Sequence, residues 1–300
     1  MPSTTSDRPA ARWSPDSPLL RGLVDDAALF PPAALPLPEA VAAHRAHRTA
    51  PYAPAVGPFL LAAAGVADLV ALLDAGTGDV PVLDVVLVAR PGADPATLTA
   101  ARDALHDHAD ARVVGAELGW EDGWRDLGLD DLPLALEVPR GEQHDVALAD
   151  LRTALQEGLP VVAKFRTGPT PTWPWPDEDE LADTLVRAAA LDVPVKLTGG
   201  LHHAARGTYE VAGVAEENHG LLNVLVATSA ASRGAGRAEV AGLLAVRDAT
   251  ALADLVAAWP DATATSVRSL LTGYGCCTVT DPLGELADLG LLDTPTGRTP

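Results

Sequence analysis

The 300-residue chain is 48% apolar and carries 41 acidic against 21 basic residues, a formal net charge of −20. That excess excludes nucleic acid and an anionic membrane surface as main partners, because a polyanion is repelled over most of such a surface. No apolar run approaches the roughly eighteen residues that span a bilayer, and the N-terminal MPSTTSDRPAARWSPDSP lacks a secretory apolar core, so a soluble cytoplasmic protein is expected.

In chain order, residues 1–18 are polar and proline-rich and read as a disordered or extended segment, ahead of one domain over 19–300. The stretch LVDDAALFPPA (23–33) reads as a segment closing one end of the fold, and leaves open whether Asp25 or Asp26 reaches a site. His44 and His47 share the helical spacing of AVAAHRAHR and read as a solvated face. A strand follows at 56–63, a helix at 66–76, a strand at 81–89 and a helix at 94–108, where His106 and His108 suit the negative end of the dipole.

Strands are next expected at 112–118 and 133–138, a helix at 143–157, and the strand PVVAKFR at 160–166. The proline-rich GPTPTWPWPDEDE (168–180) then imposes an extended path, and Trp173 and Trp175 make it a candidate lid. After a helix at 178–191 come the strand PVKLT (194–198), a strand at 221–228 (LLNVLVAT), a long or double helix across 237–258 and a weak strand at 275–280. The only cysteines, Cys276 and Cys277, are adjacent, so no disulfide framework exists and both read as small buried hydrophobes in a reducing compartment.

Eight strands alternating with helices over about 250 residues is the pattern of a (β/α)8 TIM-type barrel, with a doubly wound open sheet as the alternative. In a barrel, alternate strand residues point inward and chemistry gathers at the C-terminal strand ends. That parity sends Lys164 and Arg166 inward from one strand, Lys196 and Thr198 from the next, and Glu137, Glu117 and Asn223 from others. Neighbouring strands run about 4.8 Å apart, so the two lysines should share one cavity.

The lysines stand out by identity. The chain has nineteen arginines and only these two lysines, so a site needing only a cation would be expected to carry arginine. A primary amine can form a Schiff base, which guanidinium cannot, and an amine crowded by other cations or paired with Glu137 fits such a role.

AKFRTG followed one helix later by VKLTGG resembles the two lysine strands of class I deoxyribose-phosphate aldolases. The resemblance covers about 40 residues and implies that Lys164 forms the Schiff base, that Lys196 lowers its pKa, and that Thr198, Gly199 and Gly200 lie near a substrate phosphate. Three features depart from that family: Arg166 stands where it has a small hydroxyl residue, the lysines count to strands five and six rather than six and seven, and Glu117 replaces an aspartate ending strand three. The whole chain also resembles uncharacterised proteins of high-GC actinobacteria, which implies no activity.

The expectation is therefore an aldolase-like lyase without cofactor or metal. It would act on a small anionic metabolite, an oxo-acid or sugar phosphate, with Arg166 gripping the anion and Glu137, His202 or His203 moving protons. The histidines of GLHHAARG, with His219 and the two glutamates, leave a metal-dependent hydrolase or lyase as a second reading. A non-catalytic barrel binding an anionic metabolite is the third, and the oligomeric state is not deducible.

Overall fold

The computed structural model describes residues 12–76, 80–89, 94–170, 173–211 and 213–292. Eight parallel strands close a barrel: β1 (Val24–Asp26), β2 (Val56–Ala62), β3 (Leu83–Val88), β4 (Ala111–Gly119), β5 (Leu134–Glu137), β6 (Val161–Arg166), β7 (Val195–Thr198) and, closing back onto β1, β10 (Leu271–Cys276). The chain is thus a (β/α)8 barrel, and the open-sheet alternative falls. Between β7 and β10 an antiparallel hairpin, β8 (Gly207–Val211) and β9 (Val214–Asn218), is inserted.

Helices α1 (Leu37–His47), α2 (Val66–Asp74), α3 (Pro95–Leu105), α4 (His144–Gln156) and α5 (Glu178–Ala190) follow β1, β2, β3, β5 and β6. Their caps follow from sequence: Asp94 accepts from the Ala96 amide at the start of α3, and Asp177 accepts from Glu180 at the start of α5. Only a short 3₁₀ turn, Trp124–Leu127, links β4 to β5, and the indoles of Trp120 and Trp124 both donate to Asp150 of α4 at 2.8 Å.

After the hairpin the pattern departs from expectation. Residues 221–228 are not a strand but most of α6 (Leu221–Ser232), buried along nearly its whole length. It is covered by α7 (Arg237–Leu244), α8 (Ala249–Ala257) and α9 (Asp261–Leu270), so it has no polar face to reveal a helical period, and a short apolar run reads equally well as a buried strand. The eighth strand lies at 271–276 rather than 275–280, whose last residue already begins α10 (Thr280–Asp288).

The missed strand is β1, only three residues long. Its Asp25 pairs in register with Gly275 and turns inward, while Asp26 turns outward and meets His44 of α1 at 3.0 Å. His44 is therefore 2% exposed and not part of a solvated face, and His47 bonds the Tyr52 hydroxyl at 3.0 Å. Residues 1–11 lie outside the described residues, whereas 12–18 are anchored: Trp13 is 1% exposed and bridges to Leu292, and Arg12 donates to the Ala257 carbonyl. Arg268 fixes the segment that follows, donating to the carbonyls of Leu19, Arg21, Leu271 and Thr272. Among the described residues no helix is long and apolar enough to cross a membrane.

Asn223, expected in the barrel, instead sits inside α6. Its amide nitrogen donates to the carbonyls of Leu243, Leu244 and Val246, and its oxygen accepts from the Arg206 amide at 2.8 Å. It thereby ties α6 to the end of α7 and to the residue two places beyond it. Replacing Asn223 by Leu should orphan these groups and lower unfolding free energy by about 1–3 kcal/mol, read from the urea midpoint.

Candidate active site

The barrel interior is divided. On the side of β2, β3 and β4 it is lined by Leu60, Val86 and Val88, against which Ala27, Phe30 and Val114 pack. On the side of β4 to β7 and β1 it is charged. Register fixes this arrangement: Glu137 lies beside Lys164, Lys164 beside Lys196, and Lys196 beside Gly273, so the side chains project on the same face.

These residues form one alternating chain of charge. Arg166 grips Glu137 with two nitrogens, at 2.8 and 3.2 Å. Glu137 is 3.0 Å from the Lys164 amine, which is 2.8 Å from Glu117, and Glu117 in turn pairs with Lys196, which pairs with Asp25. Three cations alternate with three carboxylates, and both lysines meet opposite oxygens of the same Glu117 carboxylate. The chain can be buried because no member is left without an opposite charge.

Glycine makes room for it at one end. A Cβ on Gly57 of β2 would overlap the Asp25 carboxylate, so the inward aspartate occupies the volume a side chain would have filled. At the mouth, the loops after β6 and β7 interlock. The Thr167 amide and hydroxyl both donate to the Thr198 carbonyl, at 2.8 and 3.1 Å, and a Cβ on Gly168 would strike the Gly199 carbonyl. Gly199 itself takes φ 73°, and Gly200 packs on Thr167.

Electrostatics divide the labour. Burial alone would raise the Glu117 carboxyl, but the charges of Lys164 and Lys196 override it and hold its pKa down to about 2. Burial would likewise lower the Lys196 amine, yet Asp25 and Glu117 together raise it, so Lys196 is a fixed cation. Asp25 goes the other way: desolvation raises its carboxyl despite Lys196, and the neighbouring Glu117 charge adds to the rise. Glu137 is held low, its burial outweighed by Lys164 and Arg166.

The histidines lie apart from this chain. His203 stacks on Tyr209 with ring centroids 3.3 Å apart and pairs with Glu285 of α10 at 2.9 Å. His202 faces the two thiols, with Nδ1 3.6 Å from Cys276 and Nε2 3.7 Å from Cys277, and burial lowers its pKa. Both cysteines are buried, as expected, and desolvation raises their pKa values. His219 donates from Nε2 to the Pro176 carbonyl at 2.9 Å and accepts from Arg206, a structural tie for the end of the proline-rich loop. Among the described residues no three His, Cys, Asp or Glu side chains gather as a metal-ligand set.

Of the candidate lid residues, Trp173 is 45% exposed and lies against Arg140 and Gly141 in the loop after β5, with the guanidinium carbon 5.0 Å from its ring centroid. Arg140 also holds Glu180 and donates to the Pro174 carbonyl. Trp175 is partly buried, while Pro171 and Thr172 lie outside the described residues. The loop therefore rests on the rim beside the fifth strand. Parity alone predicted neither the pairing of Asp25 with Lys196 nor the bridging role of Glu117; the sequence signal for the first was the doubled aspartate of LVDDAA.

Lys196→Met should remove one of the two cations that hold Glu117 and, among the described residues, the only one paired with Asp25, lowering stability by about 3–5 kcal/mol in denaturant titration. The pH dependence has a definite sign. Because Glu117 titrates lower folded than unfolded, its contribution is fully present above its ordinary value of 4.5 and is lost as pH falls toward about 2. In Glu117→Gln the slope of unfolding free energy against pH should be shallower across that window.

No family model, curated protein or solved structure matches the chain, so the chemistry of this site rests on its own residues.

Proposed function

We propose that the protein is a Schiff-base lyase, aldolase-like, acting on a small oxo-acid or sugar phosphate through Lys164. One observation carries this reading: the Lys164 amine is held between two carboxylates on the sixth strand, while Lys196, its neighbour on the seventh, is locked as a cation by Asp25 and shares Glu117 with it. The strand β1 moves both lysines one place along the barrel, so the difference in strand count from the deoxyribose-phosphate aldolases disappears. Glu117 then belongs to the fourth strand.

In this reading Glu137 takes a proton from the Lys164 ammonium, and the freed amine adds to the substrate carbonyl carbon to give a carbinolamine. The proton returns through Glu137 to the carbinolamine hydroxyl, which leaves as water, and an iminium remains on Lys164. The sum is an ammonium and a carbonyl converted to an iminium and water. The iminium accepts the electron pair of the breaking carbon–carbon bond while a carboxylate removes the proton of the hydroxyl on the departing carbon, which leaves as an aldehyde; the enamine left on Lys164 regains that proton on carbon, and water hydrolyses the resulting iminium to the second carbonyl product and the lysine ammonium. Lys196 keeps a positive charge beside the amine throughout. The histidines, tied to Glu285 and to the thiols, take no part.

A second reading, an internal charge staple with no chemistry, is favoured by the burial of Lys164, which is only 3% exposed. Borohydride trapping with a panel of aldehydes and keto acids separates the two. The lyase reading expects a mass adduct located on Lys164 itself by peptide mapping, since only a primary amine forms the trapped bond. An unmodified wild-type chain across the panel would leave the staple.

A further inference from the structure

Exposure falls steeply along the outer end of the charge chain. The Arg166 side chain is 31% exposed, Glu137 13% and Lys164 3%. Arg166 is thus the member that meets solvent, and Glu137 stands between it and the amine. The guanidinium engages both oxygens of Glu137, one of which also faces Lys164, so the carboxylate that must accept the lysine proton is occupied from the far side. A Cβ on Gly199 would lie 3.1 Å from Arg166 Nη1, so it is glycine that lets the loop after β7 pack this closely against the guanidinium.

We propose that Arg166 is a gate operated by the substrate's own anionic group: a phosphate or carboxylate at the mouth draws the guanidinium off Glu137, which then takes the proton from Lys164. The inference deepens the Schiff-base reading and rests on it for its purpose, though not for its test. The energetics follow from distance. Arg166 touches Glu137 directly and Lys164 only through it, so its departure raises the proton affinity of Glu137 more than that of the amine and shifts the proton toward the carboxylate. The same movement uncovers the most buried amine in the site. Behind it, Asp25, Glu117 and Lys196 stay paired, so the shift is confined to the outer end.

The consequence is selectivity by activation. A neutral aldehyde can reach the mouth but does not open the clamp, whereas a carbonyl compound carrying an anion generates the nucleophile that attacks it. Arg166 is a positioning residue in this scheme, since it acts on the amine through Glu137.

Two lysines in 300 residues make the test direct, because every labelled side-chain amine can be assigned by mass spectrometry. Reductive methylation with formaldehyde and a neutral amine–borane reports the neutral, accessible fraction of each lysine and requires no knowledge of the substrate. In the wild-type protein, inorganic phosphate or acetate should raise the labelling rate of Lys164 about tenfold over chloride at equal ionic strength. Lys196 should not respond. A response to phosphate alone assigns the substrate a phosphoryl group, and one to acetate alone a carboxylate. In Arg166→Met, Lys164 should label fast with or without anion. Equal wild-type labelling with and without anion would overturn the gate, as would an undiminished anion response in Arg166→Met. Failure of every oxo compound to form a trapped adduct sinks the lyase reading instead, and the two failures are read in separate experiments.

Discussion

The interior of this barrel is governed by the need to bury four charges at once, those of Asp25, Lys196, Glu117 and Lys164, a series that Glu137 and Arg166 continue toward solvent. A single ammonium or carboxylate withdrawn from water into so apolar a surrounding is strongly disfavoured, and only an opposite charge at contact distance makes it tolerable. The solution is alternation: Asp25, Lys196, Glu117, Lys164, Glu137 and Arg166 follow one another with signs reversed at each step. Much else follows from this. Gly57 is bare because Asp25 occupies its space, and β1 turns Asp25 inward while Asp26 ties the opposite face to α1 through His44.

Alternation also explains the two lysines in structural terms. Each ammonium must reach two carboxylates that approach from different strands, and a compact point charge with three rotatable donors meets that geometry where a planar fork does not. At the mouth, where Arg166 addresses one carboxylate face-on, arginine is the residue used. The apolar half of the barrel, Leu60, Val86 and Val88, keeps water from the charged half, so each pair acts in a low-dielectric setting and small displacements of one partner matter to the next.

How much of this was legible in the sequence depends on the type of signal. Period-two parity on β5, β6 and β7 placed Glu137, Lys164, Arg166, Lys196 and Thr198 on the inner face, because those strands are short, regular and flanked by helices with clear amphipathic faces. The three-residue β1 carried no such pattern, since a strand holding two aspartates has neither alternation nor apolar run. Helix α6 misled for the opposite reason: it is apolar on every side because α7, α8 and α9 enclose it, so Asn223 was assigned to a barrel wall that does not include it. His44 looked solvated because its partner, Asp26, lies eighteen residues away in a strand the pattern did not reveal.

The central claim is that Asp25 and Glu117 fix Lys196 as a cation at the buried end of the charge chain. Carbon-13 labelling of lysine alone gives one ε-methylene signal per lysine, two for the whole protein, and a pH titration of those signals reads each amine directly. The prediction is that the Lys196 signal, assigned with Lys196→Met, stays in the ammonium form beyond the ordinary lysine value of 10.5, because Asp25 and Glu117 raise it. Deprotonation of Lys196 at a pH below its ordinary value would contradict the charge chain on which the proposed chemistry depends.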